Sequence, residues 1–120
     1  MKVLVVDGLP FVRDFLVAAL RSRGHEPHAF NDAKGAWDWF HDHPVALAIL
    51  DWELQGGMDG RGLCRWIRES HPATYVLMLT GHDTVHSHVE AIKAGADHLL
   101  AKPPSLQELD EALLKAGRRG

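Results

Sequence analysis

The sequence predicts an α/β domain: a doubly wound, five-stranded parallel sheet with five helices. Three observations predict it. Short apolar runs alternate five times with segments whose apolar residues recur at helical spacing. One of those runs, "VALAIL" at 45–50, is apolar on both faces, as a strand covered by helices on both sides must be. Asp7, Asp51, Thr80 and Lys102 each stand where a strand run ends, the rim at which such sheets bind ligands.

Each element has its own signal. Val3–Val6 is a β-branched run and reads as a buried strand. Pro10 suits the first turn of a helix, and Val12, Phe15, Leu16, Ala19 and Leu20 follow at helical spacing to a cap at Gly24. His25–Phe30 reads as a second strand, which Pro27 places at a sheet edge. Asp32 caps a helix with Ala33, Ala36, Trp37 and Phe40 on its apolar face, and Pro44 ends that segment. Val45–Leu50 runs into Asp51 and the glycine-rich loop "QGGMDG". A helix with Leu63, Cys64 and Ile67 inward ends near His71-Pro72. Tyr75–Leu79 is a fourth strand that runs into Thr80. Val85, Val89, Ile92 and Lys93 lie on a helix closed by Gly95. His98–Ala101 is a short fifth strand leading to Lys102-Pro103. Ser105 with Glu108 is a capping-box pattern that opens a last helix carrying Leu106, Leu109, Leu113 and Ala116.

The bulk properties fit one domain filling residues 1–120, with no repeat, low-complexity tract or linker. The formal net charge of -3 does not point to nucleic acid or an anionic membrane as a partner. No apolar run approaches the ~20 residues that span a bilayer, and the chain enters a strand pattern without a signal-peptide pattern. The single cysteine, Cys64, excludes an internal disulfide and fits a reducing compartment, so the expected place is the cytoplasm.

The four rim residues suggest a chemistry. Two close carboxylates repel each other and favour a hard divalent cation such as Mg²⁺. A carboxylate can also attack phosphorus and become an aspartyl phosphate. A lysine and a hydroxyl can then meet the phosphoryl oxygens. Asp51 is the candidate nucleophile, Asp7 the metal support, Lys102 the counter-charge and Thr80 the hydroxyl.

At these residues the sequence resembles the response-regulator receiver domain of two-component signalling, over essentially its whole length. "VLVVDGLPFVR" looks like the first strand and acidic turn, and "LAILDWEL" with "GMDG" like the phosphoacceptor strand and loop. "VLMLTGHD" looks like the switch-threonine strand, and "AGADHLLAKPPS" like the lysine strand with its cis Lys-Pro bond. The resemblance implies the flavodoxin-like (βα)5 fold with strand order 2-1-3-4-5. It implies Asp51 as phosphoacceptor, Thr80 as switch hydroxyl and Lys102 as the site lysine, with Mg²⁺ held by Asp7, Asp51 and the position of Glu53. It also implies a histidine kinase or histidine phosphotransfer protein as donor, and a downstream protein or output domain as target. The domain is then regulatory and assists only its own phosphorylation and dephosphorylation.

The chain departs from that pattern in telling places. The family usually has two adjacent acids after the first strand; here Asp7 matches the first and Gly8 stands at the second. Three consequences are open: Mg²⁺ binds more weakly with water in the gap, metal binding is lost, or the Glu53 side chain replaces the missing acid. Loss would make the domain a phosphorylation-independent interaction module. The loop "QGGMDG" is one residue longer than usual and lacks the common proline, and His82 stands two past Thr80, a position that in the family influences dephosphorylation. Leu99 occupies the place of a switch aromatic, so switching is expected to lack an aromatic rotamer step.

Other residues have plainer readings. Thr80 could instead cap a helix. His82 and His86 have zinc-chelating spacing but no evident third ligand. His41 and His43 suit a helix C-terminus, Cys64 and Trp37 and Trp66 read as packing, and Trp52 should lie near the site. A flavin carrier would need a hydroxyl- and glycine-rich phosphate loop, which "DGLPFVR" is not.

Overall fold

A computed structural model describes residues 1–119; Gly120, the last residue of the expected domain, lies outside them. Ten elements alternate along the chain: β1 (Lys2–Val6), α1 (Pro10–Ser22), β2 (Glu26–Phe30), α2 (Ala33–Phe40), β3 (Leu47–Asp51), α3 (Gly60–Ser70), β4 (Tyr75–Thr80), α4 (Val85–Ala94), β5 (His98–Ala101) and α5 (Leu106–Arg119). All strand pairs are parallel and the sheet order is β2-β1-β3-β4-β5. Helices cover both faces of the sheet.

The order follows from the sequence of the strands. β3 and β4 are buried at every residue and take the middle of the sheet. β2 contains Pro27, which has no N–H to give a second neighbour, and it lies at an edge. The strand pleat sends alternate side chains to two cores. Val3, Val5, Leu47, Ile49, Leu77 and Leu79 meet α1 and α5, while Leu4, Val6, Ala48, Leu50, Val76 and Met78 meet α2, α3 and α4.

The caps are those the side chains announce. Asp32 Oδ1 accepts from Gly35 N at 2.8 Å, and Asp59 Oδ1 accepts from Gly62 N at 2.8 Å. Ser105 Oγ accepts from Glu108 N while Glu108 Oε1 accepts from Ser105 N, completing the box before α5. Gly95 closes α4 at φ 103°, where an L side chain would be strained and its Cβ would lie 3.0 Å from Arg68 Cγ. His43 Nδ1 lies 2.8 Å from Trp39 O, so this histidine serves the C-terminus of α2 as expected.

Two placements need tertiary context. The buried face of α4 is Ser87, Ala91 and Ala94, while Val85, Val89 and Ile92 all face outward, Val85 at 82% exposure. Small residues let the helix lie close, and Ser87 Oγ anchors it by donating to His82 O at 2.8 Å. Leu99 is buried in the core beneath α3 and α4, so no large side chain stands ready to swing at that position.

Candidate functional site

The carboxyl ends of β1, β3, β4 and β5 bring the four predicted residues to one rim. Parallel register does this: Val6 pairs with Leu50, Asp51 with Leu79 and Thr80 with Ala101. Asp7 and Lys102 directly follow their strands, so each side chain enters the same depression. Asp7, Asp51 and Thr80 are all at most 2% exposed.

Lys102 is the centre of charge. Its Nζ donates to Asp51 Oδ1 at 2.6 Å, lies 3.3 Å from Asp7 Oδ2 and 3.8 Å from Glu53 Oε2. Asp51 Oδ1 also accepts from Glu53 N at 2.9 Å, and Oδ2 from Gly8 N at 3.3 Å. Asp7 Oδ1 accepts from Leu9 N at 2.8 Å, which sets the turn into α1, and Asp7 O accepts from Arg13 Nη1. Asp7 Oδ2 is buried and accepts no well-formed hydrogen bond; the Lys102 ammonium at 3.3 Å is its charge partner.

The two aspartates are driven apart in acidity. Burial raises Asp7, and the neighbouring Asp51 charge adds to this beyond what the Leu9 N–H and Lys102 offset. Burial also works to raise Asp51, but the Lys102 and Glu53 N–H hydrogen bonds outweigh it and hold Asp51 below the usual carboxylate range. For Lys102, burial works to lower the pKa, but its contacts with Asp51 and Asp7 raise it, so it is a cation at neutral pH. The result is an ionised, oriented carboxylate at Asp51 beside a fixed ammonium.

The hydroxyl of Thr80 belongs to this rim and not to a helix cap; Thr84 caps α4. Thr80 Oγ1 accepts from His82 N at 3.0 Å and donates to Glu53 Oε1 at 2.7 Å. The Glu53 side chain therefore lies against β4. A Cβ built on Gly8 would meet only Asn31 O and Asp51 Oδ2, each at 4.0 Å. The Glu53 carboxylate lies on the β4 side of the rim, bonded to Thr80 Oγ1 and Gly81 N.

The donor set fits a hard cation in its chemistry. Asp7 Oδ2 is buried with only the Lys102 ammonium near it, the ionised Asp51 lies alongside, and Mg²⁺ needs only one or two carboxylates because it keeps several waters. Among the described residues no three His, Cys, Asp or Glu side chains cluster closely enough to hold a metal by themselves. This also leaves His82 and His86 without a chelating partner, while His88 pairs with Asp83 at 2.6 Å.

One feature of the site carries no sequence signal that residue type alone would flag. The helix α3 starts against the back of the phosphoacceptor candidate: a Cβ on Gly60 would lie 2.0 Å from Asp51 O. Trp52 sits beside the site as expected, and the Arg61 guanidinium stacks 5.2 Å above its ring. Cys64 takes no part; burial raises its thiol to about 11. Trp37 and Trp66 pack edge to face at 5.1 Å on the α2–α3 flank, away from the rim.

Comparison with known proteins agrees with this geometry. A family model described as the response regulator receiver domain matches residues 3–114. The chain is 32% identical over 117 residues to the response regulator protein PilR of Pseudomonas aeruginosa, covering 98% of this chain and 26% of PilR. It is 36% identical over 110 residues to the response regulator MprA of Mycobacterium avium, covering 91% of this chain and 47% of MprA. It thus spans about a quarter to a half of these curated relatives. A two-component response regulator of Clostridium difficile superposes with a TM-score of 0.91 at 25% identity, covering 99% of this chain and 97% of that one.

Proposed function

The chain belongs to the response regulator receiver domain family, and on that premise we propose that Asp51 accepts a phosphoryl group from a phosphohistidine. The donor is a histidine kinase or a histidine phosphotransfer protein. An Asp51 carboxylate oxygen forms a bond to phosphorus as the P–N bond breaks, and the imidazole leaves with that electron pair. One observation carries this reading: Asp51 is buried, held ionised, and bound at 2.6 Å by Lys102 Nζ, the charge that can meet a phosphoryl oxygen.

The other residues have parts set by their positions. Thr80 Oγ1 and Gly81 N, on the β4 side of the rim, are the donors for further phosphoryl oxygens. Asp7 and Asp51 would hold Mg²⁺ through their carboxylates, with Glu53 contributing through its main-chain carbonyl. Mg²⁺ supplies charge neutralisation of the phosphoryl group when bound. Gly8 withholds one carboxylate from that set, so affinity for the cation is weakened rather than lost. The domain runs through residues 1–120 as one receiver unit and catalyses nothing beyond its own phosphorylation and dephosphorylation.

Output passes through protein contacts. Val85, Val89 and Ile92 offer an apolar face on α4, next to the Thr80–Thr84 connection. A downstream protein or an output domain in a longer chain would read that face. Nucleic acid and membrane are not expected partners of this domain at its net charge of -3; none of its described helices is long and apolar enough to cross a bilayer. A cytoplasmic place fits all of this. Gly8 is the one rim feature that favours a phosphate-independent module, and the convergence of Asp51, Thr80 and Lys102 weighs against it.

Intact-mass measurement after incubation with a small phosphodonor tests the reading. A single phosphoryl adduct is expected with Mg²⁺, reduced by chelator and absent in Asp51→Ala. Failure of wild type to take the adduct at saturating Mg²⁺ would refute it.

A further inference from the structure

The Thr80–Gly81 corner of the rim already holds an anion. Glu53 leaves β3 two residues after Asp51, and its side chain crosses the rim to β4. Oε1 accepts from Thr80 Oγ1 at 2.7 Å and from Gly81 N at 3.1 Å. Oε2 accepts from Gly81 N at 3.4 Å and lies 3.8 Å from Lys102 Nζ. A hydroxyl, a backbone N–H and an ammonium therefore converge on one carboxylate. That is the donor set of an oxyanion cradle.

The cradle and Asp51 are one unit. Lys102 Nζ bonds Asp51 Oδ1 while it faces Glu53 Oε2. Glu53 N donates to Asp51 Oδ1 while the Glu53 side chain occupies the donors opposite. A phosphoryl group on Asp51 would carry its oxygens toward Thr80, Gly81 and Lys102. Each donor proton serves one oxygen well, and two anions side by side repel. The carboxylate and the phosphoryl group cannot both hold the cradle.

We propose that Glu53 is an internal place-holder: its carboxylate fills the phosphoryl-oxygen cradle at rest and must be expelled before Asp51 can be phosphorylated. This rests on the reading of Asp51 as the phosphoacceptor. Glu53 acts by withholding donors, so it is a positioning residue. Its side chain is 35% exposed, which gives it a path outward into solvent once displaced. The same contact holds Thr80 drawn toward the rim before any phosphate arrives.

The test uses the whole chain with Glu53→Ala and Glu53→Gln at saturating Mg²⁺ and phosphoramidate as donor. Two readouts are taken: the initial rate of adduct formation, and hydrogen exchange of the Gly81 amide in unmodified protein. Glu53→Ala should raise the rate about tenfold, the effect of releasing one charge-assisted contact. Glu53→Gln keeps the shape without the charge and should raise it less. The Gly81 amide should exchange faster in Glu53→Ala than in wild type. An unchanged or slower rate in both variants would overturn the proposal, as would an unchanged Gly81 exchange rate. If no variant accepts a phosphoryl group while Gly81 still loses protection, the acceptor reading of Asp51 falls, and the gating role falls with it.

Discussion

Restoring the missing acid at position 8 should destabilise the protein without cation and stabilise it with one. The backbone at Gly8 is not in the left-handed region, and an added Cβ meets nothing closer than 4.0 Å, so Gly8→Asp is sterically free. One of those neighbours is Asp51 Oδ2, so the new carboxylate lies about one side-chain bond further from or nearer to an ionised group. Two unit charges near 4 Å interact by about 4 kcal/mol at an effective dielectric of 20. Gly8 is exposed, so solvent screening reduces this to about half, on the order of 2 kcal/mol. For a domain of this size that is a loss of about 8 °C in Tm. If a divalent cation removes the repulsion, the same 2 kcal/mol tightens its binding about thirtyfold. Thermal melts against Mg²⁺ concentration, with Trp52 fluorescence as the binding signal, measure both numbers. The double variant Gly8→Asp/Asp51→Asn should recover most of the lost Tm. An equal loss in that background, or an unmoved Mg²⁺ midpoint, would refute the electrostatic account.

Three further outcomes follow from the same geometry. Gly60→Ala drives a Cβ into the Asp51 carbonyl, so it should cost about 3 kcal/mol or more by urea unfolding and slow phosphorylation by displacing Asp51; a loss under 1 kcal/mol would show that α3 can shift freely. Lys102→Met leaves Asp7 and Asp51 buried without their cation, a loss of about 3–5 kcal/mol at pH 7. That deficit should shrink as pH falls, because without the ammonium both carboxyls bind protons more readily in the variant than in wild type, and a pH-independent deficit would contradict it. Asp97 is held below its usual pKa: burial opposes this, but hydrogen bonds from Arg119 and Val76 N and the charge of Arg68 outweigh it. Its contribution is therefore present above the unfolded pKa of about 3.9 and lost as pH falls through the lower folded value. Asp97→Asn should cost about 2–3 kcal/mol at pH 7 and much less in acid, by urea titration at the two pH values.

Much of this was local and could be read from residue order. Apolar runs with two-residue and 3.6-residue periods mark the ten elements, because burial on a pleat or a helix face imposes those periods. Pro27 put β2 at an edge for want of an N–H, and Asp32 and Ser105 capped the helices they precede. Asp7, Asp51, Thr80 and Lys102 converge because parallel strands end on one side of the sheet.

The destinations of individual side chains were decided by tertiary structure. Val85, Val89 and Ile92 are apolar at helical spacing, yet Ser87, Ala91 and Ala94 face the sheet, since only small residues fit that close approach. Gly60 is required by the nearness of another element's backbone, a distance no neighbouring residue encodes. Asp97 joins α3, β4 and α5 through partners 21 to 29 residues away in sequence. Glu53 could reach for Gly8 or for Thr80, and its position two after Asp51 permits both. The choice falls to Thr80 because an anion settles where donors and positive charge already converge, and that field exists only once β3, β4 and β5 lie side by side.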